Sequence, residues 1–101
     1  MTEQTATFHE VVENYFEKLD VFTTAITRAH GKSHPEAFEV REIFETINAK
    51  VKEAGTNKPN LDEEFTQLRQ TTDNYIIPAD VCETYAGVYN MLSDLDKSYH
   101  A

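Results

Sequence analysis

The groups of this chain that could do chemistry are four histidines, one cysteine and a surplus of carboxylates. Two pairs stand out by spacing. His9 precedes Glu13 by four residues and Asp96 precedes His100 by four, so on a helix each pair shares one face. An antiparallel bundle brings the start of a first helix and the end of a fourth to the same end. The turn between a second and a third helix adds Glu53, Asp62 and Glu63 there. Imidazole and carboxylate on facing helices are how bundles build metal sites. His9 is therefore the first candidate metal ligand, with Glu13, Glu53, Asp96 and His100 as further candidates. A plain structural reading stands beside this one. His9 sits at the edge of the core face, where a histidine bonded to a neighbour is common. Glu13 points away from the apolar stripe, and acidic residues at helix starts suit the helix dipole.

The remaining reactive groups fall elsewhere. His30 follows His9 by twenty-one residues, about 31 Å along an unbroken helix, so the two cannot share one metal. His30 closes the first helix and His34 belongs to the turn after it. Cys82 has no base beside it in the sequence and lies in an acidic segment, which disfavours a thiolate. Ser33, Ser93 and Ser98 sit in helix-cap or helix-surface contexts without a nucleophile elbow. There is no glycine-rich phosphate loop. No catalytic residue is assigned, and the chain reads as a non-enzyme.

The elements that position these groups follow from periodicity. Val12, Phe16, Leu19 and Ile26 form one stripe, widened by Phe8, Tyr15 and Phe22. Val40, Ile43, Phe44, Ile47 and Val51 form a second, and Leu61, Phe65, Leu68 and Thr72 a third. Val81, Tyr85, Val88, Leu92, Leu95 and Tyr99 form a fourth with alternating intervals of four and three, the seam of a bundle helix. Gly31 and Gly55 read as helix ends. Ser33 with Glu36, Asn60 with Glu63, and Asp80 with Glu83 read as capping boxes. The spacing predicts helices over about 5–30, 34–54, 60–73 and 79–99, joined by short connections. Short connections make neighbours antiparallel, so the expected fold is a single all-α domain over 1–101, an up-down-up-down four-helix bundle.

Composition narrows the partners. A net charge of −9 leaves nothing to neutralise phosphates, which argues against nucleic acid and anionic membrane surfaces. The opening MTEQTATFHE is polar and acidic, unlike a secretory signal, and no apolar run is long enough to cross a membrane. A cytoplasmic location is expected. One cysteine excludes an internal disulfide and a cysteine-based zinc site.

Several of these residues, taken in order, resemble a known family. They are His9 and His30 at their twenty-one-residue spacing, and Gly31 with His34-Pro35 after them. Thr71, Thr72, Asn74, Pro78, Cys82, Thr84, Tyr85 and Tyr89 follow near the other end. The pattern is similar to the iron–sulfur cluster repair di-iron proteins, a hemerythrin-like family linked to recovery of iron centres after nitric oxide or oxidative damage. The resemblance implies two irons held by histidines from all four helices and two bridging carboxylates. His9 matches the first ligand. The second-helix histidine falls near Ala54 or Gly55, the third-helix histidine on about Lys58, and the last ligands would begin just beyond Ala101. The expectation is a shortened, ligand-depleted member with no cofactor. It would serve as a non-catalytic binding or accessory protein in the nitrosative and oxidative stress response, pairing with itself or with a partner protein. The alternative expectation is an iron protein whose reduced or intersubunit site is built around His9.

Overall fold

The computed structural model describes residues 7–101. They form α1 (Phe8–His30), α2 (Glu36–Ala54), α3 (Asp62–Thr72) and α4 (Glu83–Tyr99), with no strand among the described residues. Cross-helix contacts set the directions. Arg41 bonds Asp20, Lys50 bonds Glu64 and Thr71 bonds Glu39, while Tyr15 bonds Asp94 and Arg69 bonds Asp96. Higher numbers on one helix meet lower numbers on the next, so successive helices are antiparallel and the fold is a four-helix bundle. No helix of the described residues is long and apolar enough to cross a membrane.

The helix starts depart from the expected caps. α1 opens with a capping box that the periodicity did not single out. The Glu10 N–H donates to Thr7 Oγ1, and the Thr7 N–H donates to Glu10 Oε1 at 3.0 Å. Residues 5 and 6 of the expected first helix lie outside the described residues. The three expected boxes do not form. α2 starts at Glu36 after Pro35, because the Glu36 carboxylate binds His34 instead of closing a box with Ser33. Asn60 caps only as a side-chain turn, its Oδ1 accepting the Asp62 N–H at 3.3 Å. Asp80 turns away from α4 to His34, and Cys82 occupies the cap position. At Asp80 a tertiary partner outcompetes the local cap, and at Glu36 a neighbour two residues away does.

The helix ends also differ. Gly55 ends α2 as its position suggested, with a positive φ of 62° that glycine adopts readily. Gly31 is right-handed, and glycine is needed there for space. A Cβ would collide with the Thr27 carbonyl and lie 2.6 Å from the Phe38 ring. α3 ends in three successive left-handed residues, Asp73, Asn74 and Tyr75. They reverse the chain tightly and carry Tyr75 back against the bundle.

The core is built from the expected stripes, with a shift in α1. Val11 and Thr23 are buried, while Val12 and Phe16 are half-buried. α1 packs more extensively on α4 than on α2, which rotates its buried arc toward Phe8, Leu19 and Ile26. Thr23 is tolerated there because its hydroxyl donates to the Leu19 carbonyl at 2.6 Å and accepts from Arg41 at 3.0 Å. The α3–α4 seam differs from the others. Those two backbones are not among the closely approaching helix pairs. Their space is filled by Phe65 against Tyr99, and by polar side chains that converge on Asp96.

Candidate functional site

Titratable groups gather at two places. The first is the α3–α4 seam. Asp96 sits one turn before the end of α4 and is 8 % exposed. Its Oδ2 accepts from Arg69 Nε and from the Tyr75 hydroxyl, both at 2.8 Å. Its Oδ1 faces Arg69 Nη2 at 3.3 Å and His100 Nδ1 at 2.8 Å. The second neighbour of His100 Nδ1 is the Asp96 carbonyl at 2.9 Å, another acceptor, so that nitrogen carries the proton. Four donors thus occupy the directions in which a carboxylate can accept. Burial alone would push the Asp96 carboxyl up. The bonds from Arg69 and Tyr75, with the guanidinium charge and His100, outweigh it and hold the group below its usual range. The Tyr75 hydroxyl is pushed well up, first by burial and then by the carboxylate it serves.

The expected pairing of Asp96 with His100 is therefore present. His100 also faces Asp62 at 3.6 Å. The other candidates do not join them. His9 is exposed, its ring edge-on to Phe8 at 5.9 Å. Glu13 is exposed too, beside a shallow cavity with Glu17 and Lys18 on the outer side of α1. Glu53 is exposed at the end of α2 and lines another cavity with Lys50 and Asn60. Among the described residues no three His, Cys, Asp or Glu side chains gather closely enough to hold a metal ion.

The interior at this end is apolar. Phe8, Val11, Leu61, Phe65 and Tyr99 fill it, with Phe8 and Tyr99 in edge contact at 5.5 Å. Tyr99 staples the α2–α3 connection to α4. Its hydroxyl donates to the Pro59 carbonyl at 3.1 Å and accepts the Leu61 N–H at 2.9 Å. The Lys58 ammonium bonds the Tyr99 carbonyl and stands 4.4 Å from its ring centroid.

The second gathering is at the opposite end, where α1 stops and α4 starts. His34 bridges two elements, with Nδ1 at 3.0 Å from Glu36 Oε2 and Nε2 at 3.0 Å from Asp80 Oδ1. Burial would lower its pKa, but the two carboxylates prevail and raise it. Both neighbours are acceptors, so the doubly protonated ring satisfies both. From Glu36 the chain of contacts runs inward to the buried Tyr85 hydroxyl at 3.4 Å and on to Tyr89 at 3.2 Å. Beside it, His30 Nε2 lies 3.3 Å from Cys82 Sγ. The reading of Cys82 as a thiol without a base nearby is thus corrected, because a residue fifty-two positions away supplies the imidazole. Burial first, then the Tyr89 contact, pushes the Tyr85 hydroxyl well up.

Sequence reasoning missed Arg69 and Tyr75. Arg69 carried a signal, a cation on the flank of a short amphipathic helix facing an acidic one. Tyr75 carried none, because the three left-handed residues that turn it inward have no glycine among them.

Both gatherings hold elements together by closed pairing of donor and acceptor. Neither presents an open carboxylate or an unpaired nucleophile beside a deep cavity. In comparisons with known proteins, no family model, no curated protein and no solved structure matches the chain.

Proposed function

We propose that this chain is a non-catalytic binding or accessory protein. In this reading it is built on a hemerythrin-like bundle, as a ligand-depleted relative of the iron–sulfur cluster repair proteins, and it acts through protein contact in the nitrosative and oxidative stress response. The observation that carries it is the state of the residues where the resemblance would place iron. Lys58, on which the resemblance puts the third-helix histidine, lies in the α2–α3 connection before α3 begins, and its ammonium is engaged over Tyr99. Ala54 has no donor to offer. Asp96, the one buried carboxylate near the end of α4, is saturated by Arg69, Tyr75 and His100. A cation bound there would have to displace a guanidinium. A pair of irons does not fit this donor set.

The test is anaerobic titration with ferrous iron followed by calorimetry. The proposal expects no saturable uptake. Saturable uptake that disappears in His9→Ala overturns it in favour of a reduced or intersubunit iron site around His9.

A further inference from the structure

The connection between α3 and α4 is held down at few points. At its start the Ile76 N–H donates to the Thr72 carbonyl at 3.2 Å. From Ile77 to Cys82 no backbone N–H donates to another element among the described residues. The side-chain hydrogen bonds that tie this stretch to the rest of the described chain both end on imidazoles at the corner between α1 and α2. Asp80 Oδ1 lies 3.0 Å from His34 Nε2, and Cys82 Sγ lies 3.3 Å from His30 Nε2. Packing adds little. Val81 is half-buried against the core, while Ile76 and Ile77 are exposed.

His34 is the fastener whose charge changes near neutrality. Its backbone is fixed in the corner, the N–H donating to the His30 carbonyl at 2.7 Å and the carbonyl accepting from Ala37 at 3.0 Å. Its ring meets a group from each surrounding element. These are His30 of α1 with ring centroids 6.3 Å apart, Glu36 of α2, Asp80 of the connection, and Tyr85 of α4 at 5.6 Å. A neutral imidazole has one N–H and one acceptor nitrogen. It serves one carboxylate and turns a lone pair toward the other. Asp80 is the partner that leaves. Its side chain is 71 % exposed against 30 % for Glu36, so water solvates it more readily, and Glu36 also accepts from the Tyr85 hydroxyl. Burial lowers the pKa of the ring, but the two carboxylates prevail and raise it above the ordinary 6.5. The bridge is therefore complete below about 6.5 and lost as pH rises through the higher folded value.

We propose that residues 76–82 form a pH-operated strap, fastened by the His34–Asp80 bridge when the ring is charged and released on that side when it is neutral. The open strap stays attached at its two ends, through Ile76 to α3 and through Cys82 to His30. Its release frees Val81 to join Ile76 and Ile77 as exposed apolar side chains, so this corner presents a different surface on the two sides of the transition. The inference goes beyond the interaction reading above and does not depend on it.

The experiment follows the full chain from pH 6 to pH 8.5 with two readouts. Nuclear magnetic resonance gives the titration of the His34 ring. Thermolysin nicking before Ile76 and Ile77, divided by the rate for an unstructured peptide of the same sequence, gives the opening of the strap. Normalised nicking should rise about tenfold, with the same midpoint as the ring. Asp80→Ala should nick fast at every pH and titrate His34 at a lower midpoint. Glu36→Gln keeps the fastener to the strap, so its nicking should stay pH-dependent with the midpoint moved down. Nicking that does not change with pH overturns the strap, as does Asp80→Ala nicking as slowly as wild type at pH 6. Equal acceleration of cleavage before Leu61, at the opposite end of the bundle, overturns it too, because the whole fold would then be loosening.

Discussion

Replacing Asp96 with Asn removes the charge at the α3–α4 seam while keeping the shape of the side chain. Arg69 Nε and Nη2, the Tyr75 hydroxyl and His100 Nδ1 all converge on the carboxylate. An amide has one acceptor oxygen, so at least two of these donors lose their partner and the new NH2 group faces donors. A hydrogen bond to a charged group contributes about 1.5–3 kcal/mol, and a buried group left unpaired costs about 1–3 kcal/mol. The Arg69 and His100 side chains are 36 % and 42 % exposed. Water takes up much of their loss. The half-buried Tyr75 and the Asp96 site itself carry the rest, for a net destabilisation of about 2–3 kcal/mol. The assay is urea unfolding followed by circular dichroism. For a chain of this size the slope is about 1–3 kcal/mol per molar, so the midpoint should fall by about 1–2 M with the slope unchanged.

The pH dependence sharpens this test. Burial raises the Asp96 carboxyl, but Arg69 and Tyr75 lower it more, so its folded value lies below the ordinary 3.8. A carboxyl held low contributes stability above its unfolded value, and the contribution is lost as pH falls through the folded value. The gap between wild type and Asp96→Asn should therefore be constant down to about pH 5 and close below about pH 4. A midpoint shift under about 0.3 M, or a gap unchanged at about pH 2.5, refutes the assignment of Asp96 as the charged centre of the seam.

Other outcomes follow from the same structure. The His34 bridge to Asp80 is complete below the unfolded histidine value of about 6.5 and weakens as pH rises through the raised folded value. Amide protection in residues 76–82, relative to the intrinsic base-catalysed exchange rate, should fall over that rise, and His34→Gln should make it low at every pH. Gly31→Ala should cost about 1–3 kcal/mol in thermal unfolding, because its Cβ meets the Thr27 carbonyl and the Phe38 ring. A neutral result would mean that the end of α1 yields easily. Phe65→Ala should cost about 3–5 kcal/mol, since the ring is fully buried against Tyr99 where α3 and α4 stand apart. A loss below about 1 kcal/mol would show that Tyr99 alone fills the seam.

The parts of this structure that were legible in the sequence are those governed by local period. The α3 stripe of Leu61, Phe65, Leu68 and Thr72 is buried throughout, and from Tyr85 to Tyr99 the α4 stripe is buried as spaced. The interval of four that joins Asp96 to His100 was legible for the same reason. That interval misled at His9 and Glu13. Both face outward; for Glu13 its place off the apolar stripe already said so, while His9 at the edge of that stripe is turned out as α1 packs on α4. The caps were misread where His34 competed for the capping carboxylate. Glu36 and Asp80 serve His34 from positions two and forty-six residues away. The contacts of Arg69 and Tyr75 to Asp96 cross twenty-seven and twenty-one positions. Pairings of that reach depend on the assembled bundle, and so does the approach of His30 to Cys82.

The proposed function requires that this bundle work without an iron pair, with the buried Asp96 carboxylate committed to Arg69, Tyr75 and His100. Elemental analysis tests it most directly, on untagged protein expressed in iron-supplemented medium and purified without chelators. The expected result is well-folded helical protein with far less than one iron per chain. About two irons per chain would contradict it and return the chain to repair chemistry.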